Sequence, residues 1–153
     1  MANSPIASLP ADLLCILSTW EQGWRTLNGS LLESVWDTTY SHLVYVAEEQ
    51  SEPLLGWQAI QDYYRDTLRI MEWFDVAFEP LRADILGNTA WMLSKGQWRG
   101  KKRDDDAQLG GTARISFLAR WQEQNWAVIQ YIEAPVKVTN MSSSLPFSSS
   151  SVV

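Results

Sequence analysis

Apolar and polar residues alternate with a period of two between Val76 and Pro135, a pattern that predicts β-strands. Turn residues divide this stretch, with Gly87-Asn88 after the first strand, Gly100 after the second and Gly110-Gly111 before the third. Strands joined by short connections in chain order pair with their neighbours as an antiparallel meander. The predicted strands cover residues 76–86, 89–98, 111–121 and 125–135. This sheet is the centre of the predicted fold.

The residues between Pro10 and Asn28 have the pattern of an amphipathic helix. Pro10 suits a first turn, where its missing N–H is not needed, with Ser8 or Leu9 as the cap, and Asn28-Gly29 ends the segment. Apolar residues recur at spacings of three and four, so they form one stripe that we expect to face the core. The stripe consists of Leu13, Ile16, Leu17, Trp20, Trp24 and Leu27.

Two further helices and one short strand are predicted before the sheet. Ser30 and Glu33 form the capping-box pattern that begins a short second helix. Residues 43–46 are apolar, too few for a helix and of types that favour strands. Gly56 precedes a third amphipathic helix, which we expect to end around residues 69–71. Its apolar stripe consists of Trp57, Ile60, Tyr63, Tyr64 and Leu68.

A chain of 153 residues is expected to form one domain. The helical first half is the segment left to cover one face of the sheet, which predicts an α+β fold. We expect a mobile leader over residues 1–9 and the folded domain over residues 10–138. Residues 139–153 are rich in serine and poor in apolar residues, so this tail is predicted to be disordered.

Charge and composition narrow the classes of partner. The net charge of −6 argues against nucleic acids and membrane surfaces, which recruit clustered Lys and Arg. Nine Trp residues indicate a large aromatic core, pocket or interface. Cys15 is the one cysteine and the early apolar residues do not resemble a signal peptide, so a cytoplasmic location is predicted. His42 is the one histidine, and we therefore expect neither a metal site nor a cofactor.

Several phrases of the sequence resemble the SnoaL-like branch of the nuclear transport factor 2-like (NTF2-like) superfamily. They are LLESVWDTTYSHLVYV, EPLLGWQAIQDYY, NTAWMLSKGQW and ARWQEQNWAVIQYIEAP, with Gly56, Ala90-Trp91 and Trp126 as signposts within Ala11 to Pro135. The resemblance implies three N-terminal helices packed on a curved antiparallel sheet, with a conical cavity at the open end. The superfamily includes isomerases, cyclases, dehydratases, hydrolases, association domains and non-catalytic binders, so the resemblance implies no single reaction.

The enzymes of this superfamily that resemble ketosteroid isomerase need a carboxylate base, a Tyr and a protonated Asp. Alignment at Gly56 puts Ala47 at the base position, with Glu48 one residue later. Phe117 falls at the position of the protonated Asp, and Glu21 or Gln22 falls near that of the Tyr. The isomerase activity is therefore not carried over to this chain.

The resemblance also implies which strand faces line the cavity. The implied interior consists of Trp91, Leu93, Lys95 and Gln97, then Ala113, Ile115, Phe117 and Ala119, then Ala127, Ile129, Tyr131 and Glu133. The opposite assignment, in which the other face lines the cavity, is nearly as apolar, as expected if the outer face is buried in a homodimer. It puts inside Met92, Trp98, Trp126, Val128 and Ile132.

Two functions of different classes follow. The first is binding of a small, mostly apolar molecule in the cavity, with isomerase-like or cyclase-like acid–base chemistry. Its predicted wall residues are Tyr45, Trp57, Trp91, Phe117 and Tyr131, and its predicted polar groups are Glu48, Glu133 and Lys95. If Lys95 faces inward, Glu133 is its expected partner. The second function is a non-catalytic homodimeric association module whose cavity is vestigial.

Overall fold

The structure is a computed structural model that describes residues 9–136, so the leader and tail predictions lie largely outside the described residues. Three helices and six strands follow one another in this part of the chain. They are α1 (Ala11–Arg25), α2 (Gly29–Ser34), β1 (Val44–Val46), β2 (Leu54–Leu55), α3 (Trp57–Ile70), β3 (Met71–Leu86), β4 (Thr89–Lys102), β5 (Gln108–Gln122) and β6 (Asn125–Pro135).

The strands form one sheet in the order β2-β1-β6-β5-β4-β3. The predicted meander from β3 to β6 is confirmed, and the helices pack on one face of a curved, unclosed sheet, which confirms the α+β prediction. Strand β1 pairs with β6 in parallel, whereas the other neighbouring strands are antiparallel. This parallel pairing joins distant parts of the chain, because Tyr45 lies beside Tyr131.

The observed element boundaries differ from the predicted ones in three places. Strand β3 follows α3 directly, and β4 and β5 extend into the expected loop, so that only residues 103–107 connect them. Strand β2, with two residues, falls in a region expected to be a loop. The predicted capping box is wrong, because α2 begins at Gly29 and the side chain of Asn28 accepts a hydrogen bond from the backbone N–H of Leu31 at 3.3 Å.

The core lies between α1 and the inner face of the sheet. Trp20 is 2% exposed, and the centre of its ring lies 5.8 Å from that of Phe117 and 5.0 Å from that of Tyr131. Trp36 donates a hydrogen bond from its indole nitrogen to the hydroxyl of Tyr64 at 3.0 Å, so the polar atoms of both buried side chains are satisfied.

A buried carboxylate fixes the segment after α2 to the sheet. Asp37 Oδ2 accepts hydrogen bonds from Nε and NH2 of Arg120 at 2.9 and 2.6 Å, and Oδ1 accepts two from Thr39. Burial raises the pKa of Asp37, but the hydrogen bonds from Thr39 and Arg120 outweigh burial and lower the pKa overall. No motif in the sequence pointed to this contact.

The inner face of β4 is the opposite of the one that the resemblance implied. Ala90, Met92 and Ser94 are fully buried, whereas Leu93 is exposed. A Cβ on Gly96 would lie 2.6 Å from Cδ1 of Ile115, so a side chain at this position of the concave side would displace Ile115. The implied interior of β5 is correct, with Ala113, Ile115, Phe117 and Ala119 all buried.

The register of β6 against β5 changes partway along the strand, so the residues that point to the interior do not alternate regularly. Its pairing with β5 shifts at Ile129, so that Gln130 lies opposite Leu118 while Val128 lies opposite Ala119. An extra residue of this kind is a β-bulge, and it reverses the alternation on one side of it. Tyr131 therefore faces inward as predicted, but Val128 rather than Ile129 is the fully buried residue before the bulge.

Candidate functional site

A cavity of about 280 Å³ lies between α3, the loop after β1 and the concave side of the sheet. Its deeper wall is aromatic and aliphatic, and its mouth is formed by exposed residues that include Glu49, Ile70 and Lys102. The deeper wall consists of Trp24, Tyr45, Tyr63, Phe74, Val76, Phe78, Trp98, Ala113, Ile115 and Tyr131. Such a hollow fits a small, mostly apolar molecule.

Glu133 is the most strongly perturbed carboxyl group in the cavity wall. Its Oε2 accepts a hydrogen bond from the backbone N–H of Glu48 at 3.0 Å, and its Oε1 accepts one from the hydroxyl of Tyr131 at 2.8 Å. Burial raises the pKa of Glu133 to about 7, and the charges of Glu49 and Glu48 act in the same direction. The two hydrogen bonds oppose this shift only in part. A carboxyl group of this pKa can both accept and donate a proton near neutral pH.

Glu48 lies two residues after β1 and also lines the cavity. Its Oε1 accepts a hydrogen bond from the indole nitrogen of Trp98 at 3.0 Å. Its Oε2 is shielded from solvent and has no hydrogen-bond partner in residues 9–136. Burial raises the pKa of Glu48, the hydrogen bond from Trp98 lowers it, and the charge of Glu49 raises it further. Two carboxyl groups with raised pKa values therefore meet at one end of the cavity.

Three tyrosine hydroxyls surround these carboxyl groups. The ring of Tyr45 stacks on that of Tyr131 with centres 4.7 Å apart, and Tyr63 donates a hydrogen bond to Oε1 of Glu49. Burial raises the pKa of all three tyrosines well above the ordinary value of 10, and nearby negative charge adds to the effect. Their hydroxyls are therefore protonated near neutral pH and act as hydrogen-bond donors.

The structure brings together four of the eight predicted site residues. These four are Tyr45, Tyr131, Glu48 and Glu133, which all line the cavity. Phe117 lies instead in the core against Trp20, and Trp57 begins α3 and packs against the core. Neither of these two side chains forms part of the cavity wall.

The prediction that Trp91 and Lys95 face the cavity is wrong. Both alternate with the buried residues of β4 and so lie on the outer face of the sheet. Lys95 is flanked there by Glu79 of β3 and Arg114 of β5, so the expected pairing of Lys95 with Glu133 does not form. The cause is the reversed face of β4, which also puts Trp98 rather than Trp91 in the cavity.

Sequence reasoning did not select Tyr63, Glu49 or Trp98 as site residues. Tyr63 was assigned to the core stripe of α3, although the adjacent pair Tyr63-Tyr64 offered a signal, because consecutive helical residues point in different directions. Tyr64 is buried in the core, while Tyr63 lines the cavity. Glu49 lies next to Glu48, and the tandem carboxylates were the available signal for it.

No family model matches the sequence. No curated protein matches it either. Solved structures do match. An NTF2-like superfamily protein from Salmonella enterica has a TM-score of 0.72 at 13% identity, covering 88% of this chain and 96% of its own. A ketosteroid isomerase-like protein from Erwinia carotovora has a TM-score of 0.68 at 13% identity. The match covers 89% of this chain and 99% of the Erwinia chain. A proposed calcium/calmodulin dependent protein kinase II association domain from Xanthomonas campestris has a TM-score of 0.69 at 15% identity, covering 91% and 99%.

These similarities confirm the predicted fold class: the chain has the NTF2-like fold. The positions that the ketosteroid isomerase comparison singled out are now located in that fold. Ala47 is buried, whereas Glu48 lines the cavity, so a carboxylate is available next to the implied base position. Glu21 accepts a hydrogen bond from the backbone N–H of Phe78 at 2.8 Å and so has a structural partner.

Two further kinds of feature are absent from residues 9–136. No helix in this range is both long enough and apolar enough to cross a membrane. The same range contains no cluster of three or more His, Cys, Asp or Glu side chains arranged to hold a metal ion.

Proposed function

We propose that the chain binds a small, mostly apolar molecule in the cavity and moves a proton on it, with Glu133 as the acid–base group. The observation that carries this proposal is the position of Glu133, whose carboxyl group lines the aromatic cavity and accepts a hydrogen bond from the hydroxyl of Tyr131. Burial raises the pKa of this half-buried carboxyl group to about 7. Perturbed carboxyl groups in such hollows are typical of catalytic sites. Glu48 is the second carboxyl group of the proposed site, and its backbone N–H holds Glu133 in place.

The proposed reaction is proton transfer next to a carbonyl group. The carboxylate of Glu133 forms an O–H bond while the neighbouring C–H bond of the ligand breaks, and the electron pair moves onto the carbonyl oxygen. Return of the proton to the same carbon or a conjugated one restores the carboxylate. A general base whose pKa lies near the working pH suits such a step.

Deuterium exchange of a bicyclic ketone tests this proposal. In D₂O the wild-type protein should catalyse exchange of the protons next to the carbonyl of α-tetralone, measured by NMR. Glu133→Gln should lower the catalysed rate by at least about 100-fold, because the amide cannot accept the proton. Glu79→Gln, an exposed change outside the cavity wall, is the matched control and should leave the rate unchanged. Exchange no faster than in buffer would contradict the proposal and leave the non-catalytic association module as the better hypothesis.

We also propose that two copies pair through the outer face of the sheet. Leu93 and Ile132 are 36% and 37% exposed there, on either side of Ser116, and the half-buried pair Trp91 and Leu118 lies next to them. An apolar patch on a sheet face is typical of homodimer contacts. The similarity to an association domain agrees with this proposal. The cytoplasmic location stays a prediction.

Sedimentation velocity at micromolar concentration tests the pairing. The wild type should sediment with twice the chain mass of 17.4 kDa. Ile132→Glu should shift the protein to the monomer, because a carboxylate in an apolar contact is costly to desolvate. Leu86→Glu is the matched control, since Leu86 is 63% exposed at the end of β3. A wild type that sediments as a monomer would rule out the proposed dimer.

A further inference from the structure

The mouth of the cavity carries an excess of negative charge. Glu48, Glu49 and Glu133 all line it, and the one cation in the described cavity wall is Lys102. None of the ion pairs within residues 9–136 joins Lys102 to these carboxyl groups. Lys102 is exposed at the end of β4. The carboxyl groups of the cavity wall therefore repel one another without a neutralising partner among the described residues.

One oxygen in this group requires a hydrogen-bond donor. Glu48 Oε1 is satisfied by Trp98, but Oε2 is shielded from solvent and has no partner among the described residues. A shielded acceptor without a donor is costly, and such groups in native proteins mark missing partners. A ligand whose hydrogen-bond donor lies next to Glu48 would supply such a partner.

The donors that the described residues give to Glu48 and Glu49 each occupy one oxygen. Trp98 donates to Oε1 of Glu48, and Tyr63 donates to Oε1 of Glu49. An ammonium group offers several N–H donors and a positive charge, so it suits the remaining oxygens and the charge of the two carboxylates together.

We propose that the ligand of this cavity is an apolar amine, with its ammonium group next to Glu48 and Glu49 and its apolar body deeper in the cavity. The proposal rests on the proposed function, because it takes the cavity as a ligand site. It leaves Glu133 free for proton transfer, since the anchor uses the other two carboxyl groups. The deeper wall between Phe74, Val76 and Ile115 suits a flat hydrocarbon body.

Calorimetric titration with two probes of equal size tests the proposal. Naphthylmethylamine is protonated near neutral pH, whereas naphthylmethanol is neutral but still offers one hydrogen-bond donor. The amine should bind the wild type at least about ten-fold more tightly than the alcohol. Glu48→Gln and Glu49→Gln should each reduce this preference, and the double variant should remove it. Glu52→Gln is the matched control, because Glu52 lies in the same loop but does not line the cavity.

The outcomes separate this inference from the function on which it rests. Equal affinity of the wild type for both probes would overturn the amine proposal and keep the cavity as a binding site. A preference for the amine that persists in the Glu48/Glu49 double variant would also overturn it. Absence of binding by either probe, with an intact fold shown by circular dichroism, would overturn both proposals together.

Discussion

Replacing Glu133 by Gln should raise the free energy of unfolding by about 3 kcal/mol at alkaline pH and leave it nearly unchanged in acid. The carboxyl group has a pKa of about 7 in the folded protein and an ordinary value of 4.5. Its contribution to stability is therefore fully present below pH 4.5 and is lost as the pH rises through 7. Gln carries no ionisable proton, so the variant does not lose this stability.

Gln also fits the hydrogen bonds of the neutral carboxyl group. In the wild type, Glu133 forms hydrogen bonds with the backbone N–H of Glu48 and the hydroxyl of Tyr131. The amide oxygen of Gln can accept from that N–H, and its amide nitrogen can donate to that hydroxyl. The variant therefore represents the protonated state without a buried charge. No packing cost is expected, because the two side chains have nearly the same shape.

Urea unfolding at a series of pH values measures this difference. The gap in unfolding free energy between the variant and the wild type should widen by about 1.4 kcal/mol per pH unit between the two pKa values. The matched control is Glu79→Gln, whose carboxylate is exposed on the outer side of β3. This variant measures the effect of losing a carboxylate outside the cavity wall. A constant gap for Glu133→Gln would mean that this carboxyl group is solvated, and the cavity would lose its acid–base residue.

Trp20→Ala should destabilise the fold by about 4 kcal/mol, the range found for large buried aromatic side chains. Trp20 is 2% exposed and contacts the rings of Trp36, Phe117 and Tyr131. Its removal leaves a void between α1 and three different parts of the chain that Trp20 contacts. Surrounding side chains can fill such a void only partly, because they are held by their own packing.

The matched control is Trp121→Ala, which removes the same side chain from a position that is 40% exposed. It should cost about 1 kcal/mol or less, since less area is returned to water. Chemical unfolding followed by circular dichroism compares the two variants. Equal losses would show that Trp20 contributes no more than an exposed tryptophan, contrary to its position in the core.

Much of the fold could be predicted because its signals are local. The alternation over residues 76–135 and the apolar stripes of α1 and α3 depend on neighbours within a few positions. Gly56 is an example, since it has a φ of 84° before α3, a conformation that glycine adopts without strain. Pairing of β1 with β6 depends on residues about half the chain apart, and no local pattern encodes it.

The candidate site was only partly predictable for the same reason. Both faces of β4 are apolar enough to be buried, so alternation could not decide between Trp91 and Trp98. Gly96 was the better guide, because a side chain at this position would clash with Ile115 on the concave side of the sheet. The β-bulge at Ile129 adds one residue to a strand, and its position is set by tertiary packing rather than by an obvious sequence signal.

The parallel pairing of β1 with β6 also sets when the two carboxyl groups meet. Glu48 follows a strand of three residues, whereas Glu133 belongs to the large meander, and 85 positions separate them. Closing so long a loop is entropically costly, so β1 is expected to dock after the meander has formed and to detach before it unfolds. The proposed proton transfer would thereby be coupled to the opening of the short sheet edge formed by β1 and β2. A molecule bound between these carboxyl groups would hold that segment closed and protect its amides from hydrogen exchange.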